Sequence, residues 1–116
     1  MTNKRKIIVN LATSADGYIA RPDGDIEWLT RRPTPKGFYG LGEFERSIDT
    51  KLLGRKTYDI AAFLDEGAID EFIITVVPTL IGEGIPLMGR QRRDAPLCLR
   101  SVEQFPDGVV QLHYNV

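Results

Sequence analysis

The sequence predicts an α/β domain in which a mixed sheet carries helices on its faces, and three observations predict it. Two short runs rich in β-branched residues, Ile7–Thr13 and Phe72–Val77, are apolar at nearly every position, the pattern of strands covered on both sides. Between them, apolar residues recur at three- and four-residue steps, as on a helix with one buried face. Two extended stretches joined by Pro106-Asp107-Gly108 close the chain as a hairpin.

The first run ends at Ser14 and the Asp16-Gly17 turn signal, and its continuous apolar character predicts a central strand. Tyr18-Ile19-Ala20 resumes extended character before a second turn, Arg21-Pro22-Asp23-Gly24-Asp25, which leads into Ile26-Glu27-Trp28-Leu29. Pro33 and Pro35 make Thr30–Gly37 a loop. Phe38, Leu41, Phe44 and Ile48 line one face of a helix, and Asp49–Leu53 reads as a strand ending at Gly54. Thr57 then caps a helix that buries Ile60, Phe63 and Leu64 and stops at Gly67. Phe72–Val77 is stopped by Pro78, Gly82-Glu83-Gly84-Ile85-Pro86 is a rigid loop, and Pro96–Gln104 pairs with Val109–Tyr114. No internal repeat or low-complexity tract is present. The 116 residues make one domain, 1–116, with room for a single core but little to spare for cradling a dinucleotide.

Composition excludes several classes. Hydrophobic residues at 42% and charged residues at 27% describe a folded globular chain. A net charge of -1, with basic residues clustered only at Arg90, Arg92 and Arg93, offers no field for nucleic acid. The basic start is followed by only Ile7-Ile8-Val9 before Asn10, too short for a secretory signal, and no stretch approaches the ~20 apolar residues of a membrane helix. The expected location is the cytoplasm. The single cysteine, Cys98, sits between Leu97 and Leu99 and is read as inert core packing.

Residue chemistry alone names no reaction. With one histidine, His113, and one cysteine, a transition-metal site of the usual kind is nearly excluded, and His113 reads as an ordinary strand residue. No serine stands in a G-x-S-x-G elbow, and there is neither a Walker motif nor a G-x-G-x-x-G after a strand. Two places could hold a ligand. Gly54-Arg55-Lys56-Thr57 follows a strand and opens a helix, so amides, two cations and a hydroxyl converge where an anion would be stabilised. A plain strand–glycine–helix junction with surface basics is the competing reading. Asp16 stands at the end of a buried strand, either as a ligand contact or as a simple turn residue.

Read together, these positions resemble the reductase family that includes dihydrofolate reductase and the riboflavin-pathway reductase domain, the C-terminal part of a bifunctional deaminase-reductase. Ile8–Ala20 resembles its first strand and S-x-D-G-x-I-A turn, and Leu52–Tyr58 its G-R-x-T segment. Phe63–Glu71, running into Pro78–Leu87, is similar to its late helix, strand and G-E-G-x-P loop. The order agrees over nearly the whole chain. The resemblance implies a three-layer α/β/α sandwich with a dihydrofolate reductase-like mixed sheet, NADPH as hydride donor, and a pterin- or aminopyrimidine-like substrate. It implies Ala12 and Ile19 beside the nicotinamide, Gly54, Arg55, Lys56 and Thr57 on the extra phosphate, and Asp16, Trp28 and Thr75 toward the substrate. No catalytic acid is implied; Glu43 and Glu45 read as surface carboxylates.

One departure is large. Where the family carries further strands and helices ending in a glycine-rich turn for the cofactor pyrophosphate, Tyr58-Asp59-Ile60-Ala61 joins the two halves directly. The sheet is thereby shortened by loss of central elements, cofactor binding is expected to weaken or vanish, and exposed edges invite pairing into a homodimer. Three origins stand open: an internal deletion that folds as a compact remnant, a variant whose partner subunit completes the site, or an artefact of the gene sequence.

Overall fold

A computed structural model of the protein describes residues 6–33, 39, 44, 67–87 and 94–116. Their elements are β1 (Ile8–Ser14), β2 (Tyr18–Ala20), α1 (Glu27–Thr30), β3 (Glu71–Val77), β4 (Ile85–Pro86), β5 (Cys98–Gln104) and β6 (Val110–Asn115). Four strands form a mixed sheet in the order β1-β3-β6-β5, and β2 pairs with β4 in a two-stranded sheet.

The apolar runs at 7–13 and 72–77 become β1 and β3, which lie parallel from Ile8 opposite Glu71 to Ser14 opposite Val77. The closing hairpin is β5 and β6, with the turn at 106–108 between them, and β6 runs antiparallel to β3. Among the described residues β3 takes the inner place expected of β1, which stands at the end of the strand order. Register divides the sheet into two faces. Val9, Leu11, Phe72, Ile74, Leu112 and Tyr114 share one; Asn10, Ala12, Ile73, Thr75, Gln111 and His113 share the other. The first is apolar, with Phe72 buried, and the second mixes apolar residues with groups that can bond, Thr75 among them buried.

Phe72, Val77, Val109, Ile69, Ala20, Trp28 and Tyr39 form the buried apolar set. Gly84 is required where β4 meets β2, because a Cβ there would stand 2.2 Å from the Ala20 carbonyl oxygen and 2.9 Å from Tyr18 Cβ. The loop expected over 82–86 therefore ends as a short paired strand. Tyr18-Ile19-Ala20 is extended as expected, whereas the single helical turn α1 has no counterpart in the sequence reading.

Cys98 requires a correction. It is exposed, as is all of β5, because β5 is the last strand of the order and its neighbours Leu97 and Leu99 are themselves 37% and 54% exposed. The helix expected over 38–48 is described only at Tyr39 and Phe44, and the strand at 49–53, Gly54-Arg55-Lys56-Thr57 and the helix that follows lie outside the described residues. Gly67 has φ +72, the left-handed conformation of a helix-closing glycine. No helix among the described residues is long and apolar enough to cross a membrane.

Candidate functional site

The parallel pair brings two of the expected site residues together. Ala12 and Thr75 are register partners on the bond-forming face, and Gln111 stands on the other side of Thr75 in the same row. Thr75 is buried, and Gln111 Nε2 donates to its Oγ1 at 3.0 Å. The same nitrogen donates to the backbone oxygen of Tyr39 at 3.2 Å. Ala12 contributes only a methyl group beside Thr75.

Tyr39 ties this row to the hairpin. It is buried, takes φ +56, and packs edge-to-face on Phe105 with centroids 4.9 Å apart. A non-glycine residue at positive φ stores strain, which the surroundings must hold. Its hydroxyl donates to Asp107 Oδ2 at 2.5 Å. That bond holds the Asp107 carboxyl below its ordinary value, while burial and the facing carboxylate push the Tyr39 phenol up. Arg32 Nη2 donates to the Asp107 backbone oxygen at 3.1 Å.

Trp28, from α1, is buried, and its indole Nε1 has no hydrogen-bond partner; Arg32 Nε is buried in the same condition. Orphaned buried donors cost about 1–3 kcal/mol each, so their presence needs a reason. An acceptor on a ligand is such a reason.

Asp16 has a different task. Its carboxylate accepts from Ser14 Oγ at 2.5 Å and from the backbone N–H groups of Ile81 at 3.2 Å and Gly82 at 2.8 Å. The Ser14 bond, with the loop amides, lowers its pKa. Both motifs around it, S-x-D-G and G-E-G, are thus one clamp, a longer reach than that of a simple turn residue. Ile19 lies in β2 beside that clamp, half-buried.

A second cluster sits at the opposite end of β3. Glu71, whose side chain is 7% exposed, accepts from His113 Nε2 at 2.7 Å and Arg100 Nη1 at 2.7 Å, and pairs with Lys6 Nζ at 3.2 Å. Burial pushes the Glu71 carboxyl up, but the bonds from His113 and Lys6 and the charges of Lys6 and Arg100 bring it below its ordinary value. His113, read from sequence as an unremarkable strand residue, is part of this ion cluster. Among the described residues no group of His, Cys, Asp and Glu could hold a metal.

Sequence reading singled out Ala12, Thr75 and Trp28 but missed Gln111, Tyr39, Arg32 and Asp107. Only Asp107 carried a signal, as the middle of a Pro-Asp-Gly turn, and that signal speaks of the turn.

No protein-family model matches the chain. The uncharacterized protein YwjB of Bacillus subtilis (strain 168) is 28% identical over 172 aligned positions, taking in 96% of this chain and 98% of that one. Uncharacterized protein YyaP of the same organism is 23% identical, covering 99% and 98%. Among solved structures, a candidate riboflavin biosynthesis protein from Shewanella sp. PV-4 superposes with TM-score 0.66 at 26% identity, over 93% of this chain and 97% of its own. The chain shares the fold of that riboflavin-biosynthesis-type protein over nearly its whole length. A pyrimidine reductase-like protein from Corynebacterium diphtheriae, 18% identical with TM-score 0.51 over 92% of this chain and 49% of that one, shares the reductase-like fold.

Proposed function

We propose that the chain is an NADPH-dependent reductase of a pterin- or aminopyrimidine-like heterocycle, similar to the 5-amino-6-(5-phosphoribosylamino)uracil reductases of riboflavin biosynthesis. The observation that carries the reading is the register pairing of Ala12 with Thr75 on adjacent parallel strands, with the buried, unpartnered indole N–H of Trp28 as a further donor. The fold shared with the Shewanella protein supports it. NADPH when bound supplies a hydride from the nicotinamide C4 to an electrophilic C=N or C=O carbon. In this chain Ala12 and Ile19 would face the nicotinamide, and Gly54, Arg55, Lys56 and Thr57 would hold the extra phosphate. Thr75 and Trp28 would offer hydrogen bonds to the heterocycle. Asp16 would act on the substrate side by fixing the loop at Ile81 and Gly82 rather than by its own charge. Catalysis is then positioning plus local electrostatics.

The arrangement fits such a cofactor in part. An alanine next to the buried Thr75 keeps that position small, as a flat ring would need, but the glycine-rich turn for the pyrophosphate has no counterpart in the sequence. An alignment of 172 positions against a chain of 116 residues supports an internal shortening, in a scaffold we read as a three-layer sandwich.

A second reading is a noncatalytic, internally shortened remnant of the fold that self-associates. One observation favours it: β5 is exposed along its whole length, with Leu99 and Val102 at 54% and 55%. A homodimer also serves the first reading, if a partner subunit completes the cofactor site.

Arg55→Ala tests the reductase reading. Loss of one charge-assisted contact to the extra phosphate weakens NADPH by roughly 1.5–3 kcal/mol and leaves NADH nearly unchanged. Equal effects on the two cofactors contradict the assignment.

A further inference from the structure

We propose that Asp107, in the turn between β5 and β6, is a positioning residue for the candidate site: it acts on Thr75 through Tyr39 and Gln111. The place of Thr75 in a ligand site rests on the reductase reading, whereas the linkage from turn to strand is read without any ligand.

Three residues of one hairpin hold Tyr39. Its hydroxyl donates to Asp107 Oδ2 at 2.5 Å, its ring stands edge-on to Phe105 with centroids 4.9 Å apart, and its backbone oxygen accepts Gln111 Nε2 at 3.2 Å. Tyr39 is buried and has φ +56, a conformation that a residue with a bulky side chain keeps only where its surroundings over-determine it. Releasing the side chain lets the backbone relax out of that conformation, and the carbonyl turns with it. The anchor is itself fixed. Asp107 Oδ1 accepts the N–H of the buried Val109 at 3.3 Å, and Arg32 Nη2 donates to the Asp107 backbone oxygen at 3.1 Å.

Gln111 passes the restraint on. Its long side chain is free in several torsions, so its place on β6 does not by itself fix the amide. Nε2 carries two hydrogens, and two acceptors meet it: the Tyr39 backbone oxygen, and Thr75 Oγ1 at 3.0 Å. Displacing the Tyr39 carbonyl leaves one hydrogen unbonded and frees the amide to turn. Thr75, buried on β3 beside Ala12, then loses a bond that holds its rotamer. Hydrogen bonds thus connect a turn residue outside the row to a side chain within it, and a site is precise only where such support locks its rotamers.

The test is NMR of the whole chain without ligand, in wild type, Tyr39→Phe, Asp107→Ala, Asp107→Asn and the double variant of the first two. Tyr39→Phe removes one hydroxyl and leaves the carbonyl of residue 39, Gln111 and Thr75 chemically unaltered. In it the Gln111 side-chain amide protons are expected to exchange on the order of tenfold faster, and the Thr75 χ1 couplings to change from those of one rotamer to an average. A merely structural role would speed the ladder amides of β3 and β6 by the same factor. Adding Tyr39→Phe to Asp107→Ala is expected to change nothing further at Gln111, because both cut the same linkage. Asp107→Asn, which keeps an acceptor for the hydroxyl, is expected to stay near wild type. Gln111 protons that move no more than the ladder amides, or losses that add in the double variant, overturn the proposal. These outcomes are read without cofactor, so absence of NADPH binding counts against the reductase reading alone.

Discussion

Asp16 Oδ2 accepts the backbone N–H of Gly82 at 2.8 Å, joining two turns 66 residues apart in the chain. With Ser14 Oγ and the Ile81 amide on the same carboxylate, the turn after β1 and the loop before β4 move as one unit.

Asp16→Ala removes this clamp. Amide protons of Ile81 and Gly82 then exchange on the order of tenfold faster, and the melting temperature falls, because two loop donors lose their charged acceptor. Hydrogen exchange read residue by residue checks it; unchanged protection at both amides contradicts the clamp.

Gly84→Ala strikes the neighbouring contact. A Cβ 2.2 Å from the Ala20 carbonyl oxygen forces β4 away from β2, at a cost of about 1–3 kcal/mol in a denaturant titration. A neutral result would mean that the two short strands are not in register as described.

Glu71 sets part of the acid sensitivity. Its folded-state pKa is depressed, so the stability it contributes is full above the ordinary glutamate value near 4.3 and is lost as pH falls through the lower folded value. Asp16 and Asp107, also lowered, act with the same sign. Glu71→Gln is expected to cost roughly 1.5–3 kcal/mol at neutral pH and to flatten the loss of stability on acidification. Stability curves of variant and wild type that stay parallel from pH 7 to about pH 3 contradict this.

Cys98, exposed on β5, reacts with a colourless-to-yellow aromatic disulfide reagent in the native protein about as fast as in denaturant. Protection until the chain unfolds would return it to the core, where its leucine neighbours suggest it belongs.

That contrast shows what the residues reveal and what they hide. Phe72–Val77 is legible because a strand covered on both faces must be apolar throughout, and the Pro-Asp-Gly turn marks the hairpin directly. Leu97-Cys98-Leu99 carries the same local signal as a core strand, yet strand order, which no local pattern encodes, puts it at the edge. A register shift between Leu99 and Ser101 then places Leu99 and Val102 on one face, opposite Tyr114 and Leu112, against the alternation their spacing implies. α1 is too short, at four residues, for a helical period to register. Gln111 and His113 read as solvent-facing polar residues of an alternating strand, because their partners Thr75, Tyr39 and Glu71 are 36, 72 and 42 residues away. The resemblance to the family singled out Ala12 and Thr75, and the parallel register brings those two side by side.

The most direct test of the reductase reading is an equilibrium titration of the purified chain with NADPH and NADH, followed by quenching of its one tryptophan, Trp28, with the mass in solution recorded alongside. Micromolar binding that prefers NADPH is the result this account predicts, with the mass showing whether one chain or two completes the site. Absence of binding at millimolar cofactor would contradict it and leave a reductase-like fold without the reductase's cofactor.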